Sequence, residues 1–138
     1  MIIMKQDIVQ HVTRAVVEQT IDAVRDKLIK IILYGSYARG DFTPESDIDM
    51  MILLDCSREE LPLYRKRISR IASGLSLESG KEVSLLLQDR ETYDEWLDTL
   101  VFYQNVEKEG VVLYGDQQKE GAVRYDQPFH GSTGRQRL

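Results

Sequence analysis

The chain has 138 residues and a mass of 16.0 kDa, with 42 % hydrophobic and 30 % charged residues, the size and balance of one globular domain with its own core. With 18 Lys and Arg against 23 Asp and Glu, the net charge is −5 and the pI about 5.1; this excludes a general attraction to nucleic acid or to an anionic membrane surface. The single cysteine, Cys56, excludes an internal disulfide and a zinc site built from several thiolates. No uncharged apolar run approaches the roughly 18 residues that cross a bilayer. The opening Met1-Ile2-Ile3-Met4-Lys5 lacks the basic region, long apolar core and cleavage site of an export signal. The expected location is therefore the cytoplasm, with no direct contact with nucleic acid.

From Asp7 to Lys30 the apolar residues Ile8, Val12, Val16, Ala23, Val24 and Leu28 recur at steps close to four, which predicts a long amphipathic helix. Asp7 and Gln10 form a weak capping box at its start. Ile29 to Tyr34 changes to a short, β-branched run stopped by Gly35-Ser36, a buried strand entering a turn. After a loop over 41–45 containing Pro44, Asp47 to Leu54 is apolar on both faces beyond its first residues and reads as a second strand. A helix follows, opened by Ser57-x-x-Glu60 or by Pro62, with Tyr64, Ile68, Ile71, Ala72 and Leu75 inward. Ser79-Gly80 ends it, and residues 81–88 (KEVSLLLQ) give a third strand. Thr92-x-x-Glu95 is a capping box for a further helix with Tyr93, Trp96, Leu97, Leu100 and Tyr103, running to Gly110. Val111 to Tyr114 adds a short last strand. Residues 115–138 show no periodicity and read as a flexible tail after a domain over 1–114. The expected fold is α/β (α+β), a small mixed sheet packed with helices.

The stretch with chemical content runs from Tyr34 to Asp49. Gly35-Ser36 ends a strand, ten residues intervene, and Asp47 and Asp49 open the next strand. A Gly-Ser turn alone is usually a turn, and a D-x-D pair alone is usually a solvated strand end. At residue frequencies of about 5 to 7 %, the four positions match by chance about once in several hundred chains of this length. On a strand, residues two apart share a face, so Asp47 and Asp49 project together. Two carboxylates at the edge of an apolar surface repel unless a proton or cation lies between them. Mg²⁺ fits, since it takes one or two carboxylates and completes its shell with phosphate and water. Gly35 lets backbone approach a phosphate, and Ser36 offers a hydroxyl and an N–H at a helix start. Gly35-x-x-x-x-Gly40 is not a P-loop, because Asp41-Phe42 stands where Lys-Ser/Thr is required.

These residues resemble the minimal nucleotidyltransferases of the DNA polymerase beta-like superfamily, whose signature is Gly-Ser, ten residues, then Asp-x-Asp. Gly35-Ser36-Tyr37-Ala38-Arg39-Gly40-Asp41 and Ser46-Asp47-Ile48-Asp49 both match it, as does the closing Asn105-Val106-Glu107-Lys108-Glu109-Gly110-Val111. The likeness covers about residues 5–114. It implies the polymerase-beta-like fold, ATP and Mg²⁺ as the bound groups, and transfer of AMP to a hydroxyl. Gly35 and Ser36 would hold the triphosphate, and Asp47 and Asp49 would bind the metal. Such domains include MntA-like antitoxins, which pair with a small helical HEPN-family ribonuclease toxin and adenylylate a tyrosine on it. The chain has no room for a separate acceptor domain, so an oligomer, with itself or with such a partner, is expected.

The sequence departs from the family at one position. A third Asp, in a Val-Asp-Leu context on the next strand, accepts the proton of the attacking hydroxyl in the family; here the context is Val83-Ser84-Leu85. Serine is a poor metal ligand and no carboxylate base. Glu82 shares the face of Ser84 one pleat earlier and is the substitute candidate, against a plain exposed strand-start charge. Arg39 suits a phosphate or Asp47 or Asp49, and equally a surface pair with Asp41 or Glu45. His11, His130 and Cys56 have no catalytic partner spacing, and Tyr93, Trp96 and Tyr103 read as core or partner-facing residues. Two other functions compete with AMP transfer to a protein. One is a catalytically impaired module that neutralises its partner by contact; the other is a small-molecule transferase of the aminoglycoside type.

Overall fold

The computed structural model describes residues 5–115, so the expected tail beyond Gly115, with His130, lies outside the described residues. Helix α1 (Lys5–Val24) passes through a 3-10 turn (Arg25–Lys27) into strand β1 (Leu28–Tyr34). The helix thus ends at Val24 rather than Lys30. The turn residues bury nothing, and Leu28, which continues the helical spacing, instead pairs across the sheet with Leu54. Asp7 lies within the helix, not at its cap.

Beyond β1 the Gly-Ser turn continues as one helical turn, α2 (Ser36–Arg39), before β2 (Ile48–Leu54), α3 (Pro62–Ser79) and β3 (Val83–Asp89). Both expected starts of α3 are present. Ser57 and Glu60 bond reciprocally, Ser57 N–H to Glu60 Oε1 at 2.9 Å and Glu60 N–H to Ser57 Oγ at 3.3 Å, while the α-helix proper begins at Pro62, where a missing N–H costs nothing.

The single helix expected up to Gly110 is two helices, α4 (Arg90–Trp96) and α5 (Val101–Glu109), followed by β4 (Val111–Tyr114). Asp98 and Thr99 compete for backbone bonds and suit a turn, and Gln104 Nε2 donates back to the Asp98 carbonyl at 2.9 Å. Asp89, not Thr92, caps α4: its Oδ2 accepts from Thr92 N–H at 2.7 Å. Thr92 Oγ1 and Glu95 are both taken by the Arg58 guanidinium.

The sheet order is β3-β2-β1-β4, with β1 antiparallel to β2 and β4, and β2 parallel to β3. It is a mixed sheet, as expected, with helices on both faces. One face carries Ile31, Leu33, Ile48, Met50, Ile52 and Leu54 against Val12 and Val16 of α1 and Ile68, Ile71 and Leu75 of α3. The other carries Ile32, Met51 and Leu53 against Tyr93 and Val106. Covering on both sides is why β2 reads as an unbroken apolar run, and each fully buried Ile, Leu or Met contributes about 1.5 to 3 kcal/mol. No helix among the described residues is long and apolar enough to cross a membrane.

A buried polar chain ties the second face together. Tyr103 OH donates to Gln88 Oε1 at 2.7 Å, and Gln88 Nε2 to Asp89 Oδ1 at 3.3 Å; Asp89 itself is 1 % exposed. Asp89→Ala should remove the cap of α4 and strand two buried donors, a loss of about 2 to 3 kcal/mol in urea unfolding, with Asp89→Asn losing less because one acceptor oxygen remains.

Candidate active site

Three chain ends meet at one edge of the sheet: the end of β1, the start of β2 and the start of β3. Antiparallel register sets Tyr34 opposite Asp49, and parallel register sets Asp49 beside Ser84 and Ile48 beside Val83. One step earlier, Glu82 precedes β3 and its carbonyl accepts from Ile48 N–H at 2.9 Å. Asp49 therefore shares the face of Tyr34, Ser84, Met51 and Leu53, while Ile48 and Met50 point into the opposite core. This is the parity expected for Asp49; the strand begins at Ile48, so Asp47, expected as its first residue, lies exposed just before it.

Gly35 links β1 to α2 with φ +80° and ψ −159°, a conformation open in practice only to glycine. A Cβ on Gly35 would sit 2.6 Å from Asp49 Oδ2. The carboxylate thus lies against bare backbone at the entry to α2. The Gly35 carbonyl accepts from Ala38 and Arg39 N–H, both at 3.1 Å, and Gly40 closes the turn in the left-handed region with φ +90°, its N–H on the Ser36 carbonyl at 2.8 Å.

Burial pushes the Asp49 carboxyl above its usual range; the neighbouring Asp47 charge raises it further, Arg39 opposes this, and Glu82 adds to it. Burial and the Asp49 charge together push the Tyr34 phenol up to about 12. The site is therefore short of positive charge. Arg39 does not bind either aspartate: its Nε donates to Asp41 Oδ2 at 3.2 Å and its Nη1 lies 3.9 Å from Glu109 Oε1. The Asp41 pair was one of its expected alternatives; the Glu109 contact, which ties α2 to α5, was not. Among the described residues no group of three or more His, Cys, Asp and Glu side chains is close enough to hold a metal ion; the carboxylates that would offer oxygen to one here are Asp47 and Asp49. Such hard oxygen donors, one half-buried and raised by its neighbour's charge, fit Mg²⁺.

Glu82 and Ser84 are both exposed. Ser84 stands beside Asp49, where the third carboxylate is missing, and Glu82 is near enough for its charge to be felt by Asp49. On the other side of α2, Tyr37 stacks on Phe42 with centroids 4.6 Å apart, and Lys81 Nζ lies 5.2 Å from the Tyr37 ring centre and donates to the Pro44 carbonyl at 3.2 Å. Sequence reasoning missed Tyr34, Phe102 and Glu109 as neighbours of the site. Tyr34 follows from strand register, since a residue just before the Gly-Ser turn must face the D-x-D pair; Phe102 and Glu109 depend on the α4–α5 turn and had no local signal. Cys56 is buried and free, and His11 is an exposed neighbour of Glu78 at 3.7 Å. A cleft of about 480 Å³ between Arg25, Lys27, Tyr64 and Arg67 lies at the far end of the sheet, away from these carboxylates.

A family model described as "Nucleotidyltransferase domain" matches residues 17–124. The chain belongs to the nucleotidyltransferase domain family. This nucleotidyltransferase is similar to two proteins of Methanocaldococcus jannaschii. It is 36 % identical over 90 residues, 65 % of this chain and 82 % of the relative, to the one named "Putative protein adenylyltransferase MJ0604". It is 35 % identical over 82 residues, 58 % of this chain and 79 % of the relative, to "Putative protein adenylyltransferase MJ0141". Among solved structures it is similar to a crystal structure described as "the toxin-antitoxin with AMP-PNP", with a TM-score of 0.52, 26 % identity, and coverage of 76 % of this chain and 74 % of that one.

Proposed function

We propose that this nucleotidyltransferase moves AMP from ATP to a tyrosine hydroxyl on a partner protein of the HEPN family and acts in the cytoplasm as the antitoxin of that partner. One observation carries the reading: the Asp49 carboxylate lies against Gly35 at the entry to α2, so acidic ligands and a phosphate-approaching backbone share one spot. The adenylyltransferase names of the archaeal relatives and the AMP-PNP-bound toxin-antitoxin neighbour support the substrate and the partner.

In this reading Asp47 and Asp49 hold Mg²⁺, which when bound neutralises phosphate charge and holds the leaving group. Gly35 and Ser36 receive the phosphates on backbone N–H groups and the Ser36 hydroxyl. Arg39, free to swing from its exposed pair with Asp41, adds a guanidinium contact to phosphate. The tyrosine oxygen forms a bond to the α-phosphorus, the bond from that phosphorus to the bridging oxygen breaks, and pyrophosphate leaves. The phenolic proton passes to Glu82, two residues before Ser84. Ser84 orients the incoming hydroxyl.

Incubation with labelled ATP, Mg²⁺ and a HEPN-family protein that binds this chain should transfer label to a tyrosine; no transfer to a bound HEPN protein overturns the reading. Glu82→Gln should lower the transfer rate about 100-fold with nucleotide affinity unchanged, and Ser84→Asp should restore part of that loss. Ser84 also favours a second reading, a module that silences its partner by contact, because an exposed hydroxyl stands in register beside Asp49 where a carboxylate would complete the site. In that case the Asp47→Ala and Asp49→Ala double variant still binds and still suppresses the partner.

A further inference from the structure

The turn between α4 and α5 presents a run of apolar side chains that the sheet does not cover. Trp96 is 39 % exposed, Leu100 42 %, Val101 66 % and Phe102 42 %. Scattered exposed apolar residues are ordinary, but a contiguous group marks an interaction surface. This group abuts the active site: the Phe102 ring meets Tyr34 edge to face at 5.5 Å, and Tyr34 pairs in register with Asp49. Among the described residues, the other exposed large apolar side chains, Leu63 and Leu77, lie on α3, across the sheet.

The charge around the patch is mainly acidic, although Glu95 pairs with Arg58 and Glu109 lies 3.9 Å from Arg39. Residues 90–109 carry six acidic side chains and two basic ones, a net −4. Arg90 is occupied by Asp94 at 3.7 Å and Asp55 at 4.0 Å, and Lys108 lies near the end of α5. Asp98, in the turn itself, has no ion-pair partner among the described residues. An apolar centre with an exposed Trp and a net acidic rim is the anatomy of a protein interface, and it favours a partner of opposite charge.

We propose that Trp96, Leu100, Val101 and Phe102, rimmed by Asp94 and Asp98, dock the acceptor protein through a surface that is apolar at its centre and basic at its edge, placing its hydroxyl beside Asp49. This rests on the protein-acceptor reading above and names the surface that reading requires. A transferase that acts on another protein needs such a surface next to its carboxylates, and the patch begins one aromatic ring away from them.

Trp96 is the only tryptophan in the chain, so its emission reports docking whether or not transfer occurs. The full chain would be titrated with three tyrosine peptides of equal length: one rich in Arg and Leu, one with Glu for Arg, and one with Ser for Leu. Only the Arg/Leu peptide should shift Trp96 emission to shorter wavelength, with affinity falling as salt rises. A Leu100→Glu and Val101→Glu variant should weaken its binding at least tenfold, and Asp98→Lys several-fold, with Mg·ATP affinity unchanged. Equal response to the three peptides, or no response, overturns the proposal. So does a free chain whose Trp96 is already shielded from iodide quenching, at all dilutions (its own residues 116–138 cover the patch) or only at high concentration (a second copy does). Peptide docking without AMP transfer to any acceptor would instead overturn the transferase reading and leave the surface standing.

Discussion

Asp49→Asn is expected to lower AMP transfer by about 100- to 1,000-fold, while leaving the protein folded and more stable without metal. The first effect follows from charge. The asparagine keeps the shape of the carboxylate but offers a neutral oxygen to a divalent ion, and stabilisation of developing charge on phosphate is worth roughly 3 to 4 kcal/mol per well-placed group. The second effect follows from the Asp49 environment. Its carboxyl is pushed up first by burial and then by Asp47, with Glu82 adding to the repulsion, so the ionised form opposes folding in the absence of a cation. A raised carboxyl contributes its stability at low pH, where both states are protonated, and loses it as pH rises through the folded value. The metal-free wild type should therefore unfold more easily than Asp49→Asn at neutral pH, and the two should converge near pH 4. Ligand changes the order. Mg·ATP at 100 times its Kd stabilises a binding protein by about 2.7 kcal/mol, a shift the wild type should show and Asp49→Asn should not. Thermal unfolding with and without Mg·ATP, at two pH values, tests both effects; an Asp49→Asn protein that keeps the Mg·ATP shift would remove Asp49 from the metal site.

A substitution that stabilises the fold while destroying activity is the signature of residues placed for a ligand, and it is why this part of the chain stands out in the sequence. Gly35, Ser36, Asp47 and Asp49 break local rules for a strand end and a strand start, and unrelieved violations of that kind concentrate where a ligand supplies the relief. The parity of Asp49 with Met51 and Leu53, against Ile48 and Met50, is a property of the pleat and needed no tertiary information. The strands and α3 were legible for the same reason, since apolar runs bounded by Gly and Pro leave little choice. The end of α1 and the break between α4 and α5 were not. Leu28 keeps helical spacing yet pairs with Leu54, because strand pairing across the sheet outweighs local periodicity. Trp96 and Leu100 keep helical spacing yet stay exposed: apolar periodicity shows that a surface is shared, not whether the sheet or another molecule shares it. Arg39 could not be assigned from sequence because its reach includes Asp41 nearby and Glu109 on α5, and only the fold brings the second within 3.9 Å.

Gly35→Ala should damage the fold and the site together. Two separable costs meet there. The backbone at φ +80° and ψ −159° excludes any side chain, a strain of about 1 to 3 kcal/mol. The added Cβ would also stand 2.6 Å from Asp49 Oδ2, so the carboxylate must move or the turn into α2 must open. Either movement displaces a ligand by more than half an ångström, enough to lower transfer at least 100-fold even in the fraction that folds. Gly40→Ala is the control without a clash: its φ of +90° and ψ of 4° are left-handed, a smaller backbone penalty than at Gly35, and a Cβ there meets nothing within 4 Å. Gly40→Ala should therefore lose about 1 kcal/mol in urea unfolding and retain Mg·ATP binding, whereas Gly35→Ala should lose more stability and the binding with it. The combination of Gly35→Ala with Asp49→Gly separates strain from clash. With the carboxylate gone, the methyl has room, so part of the Gly35→Ala stability loss should return while activity does not. If stability fails to recover in the double variant, the close approach of Asp49 to Gly35 is not what makes glycine necessary, and the strained backbone alone accounts for it.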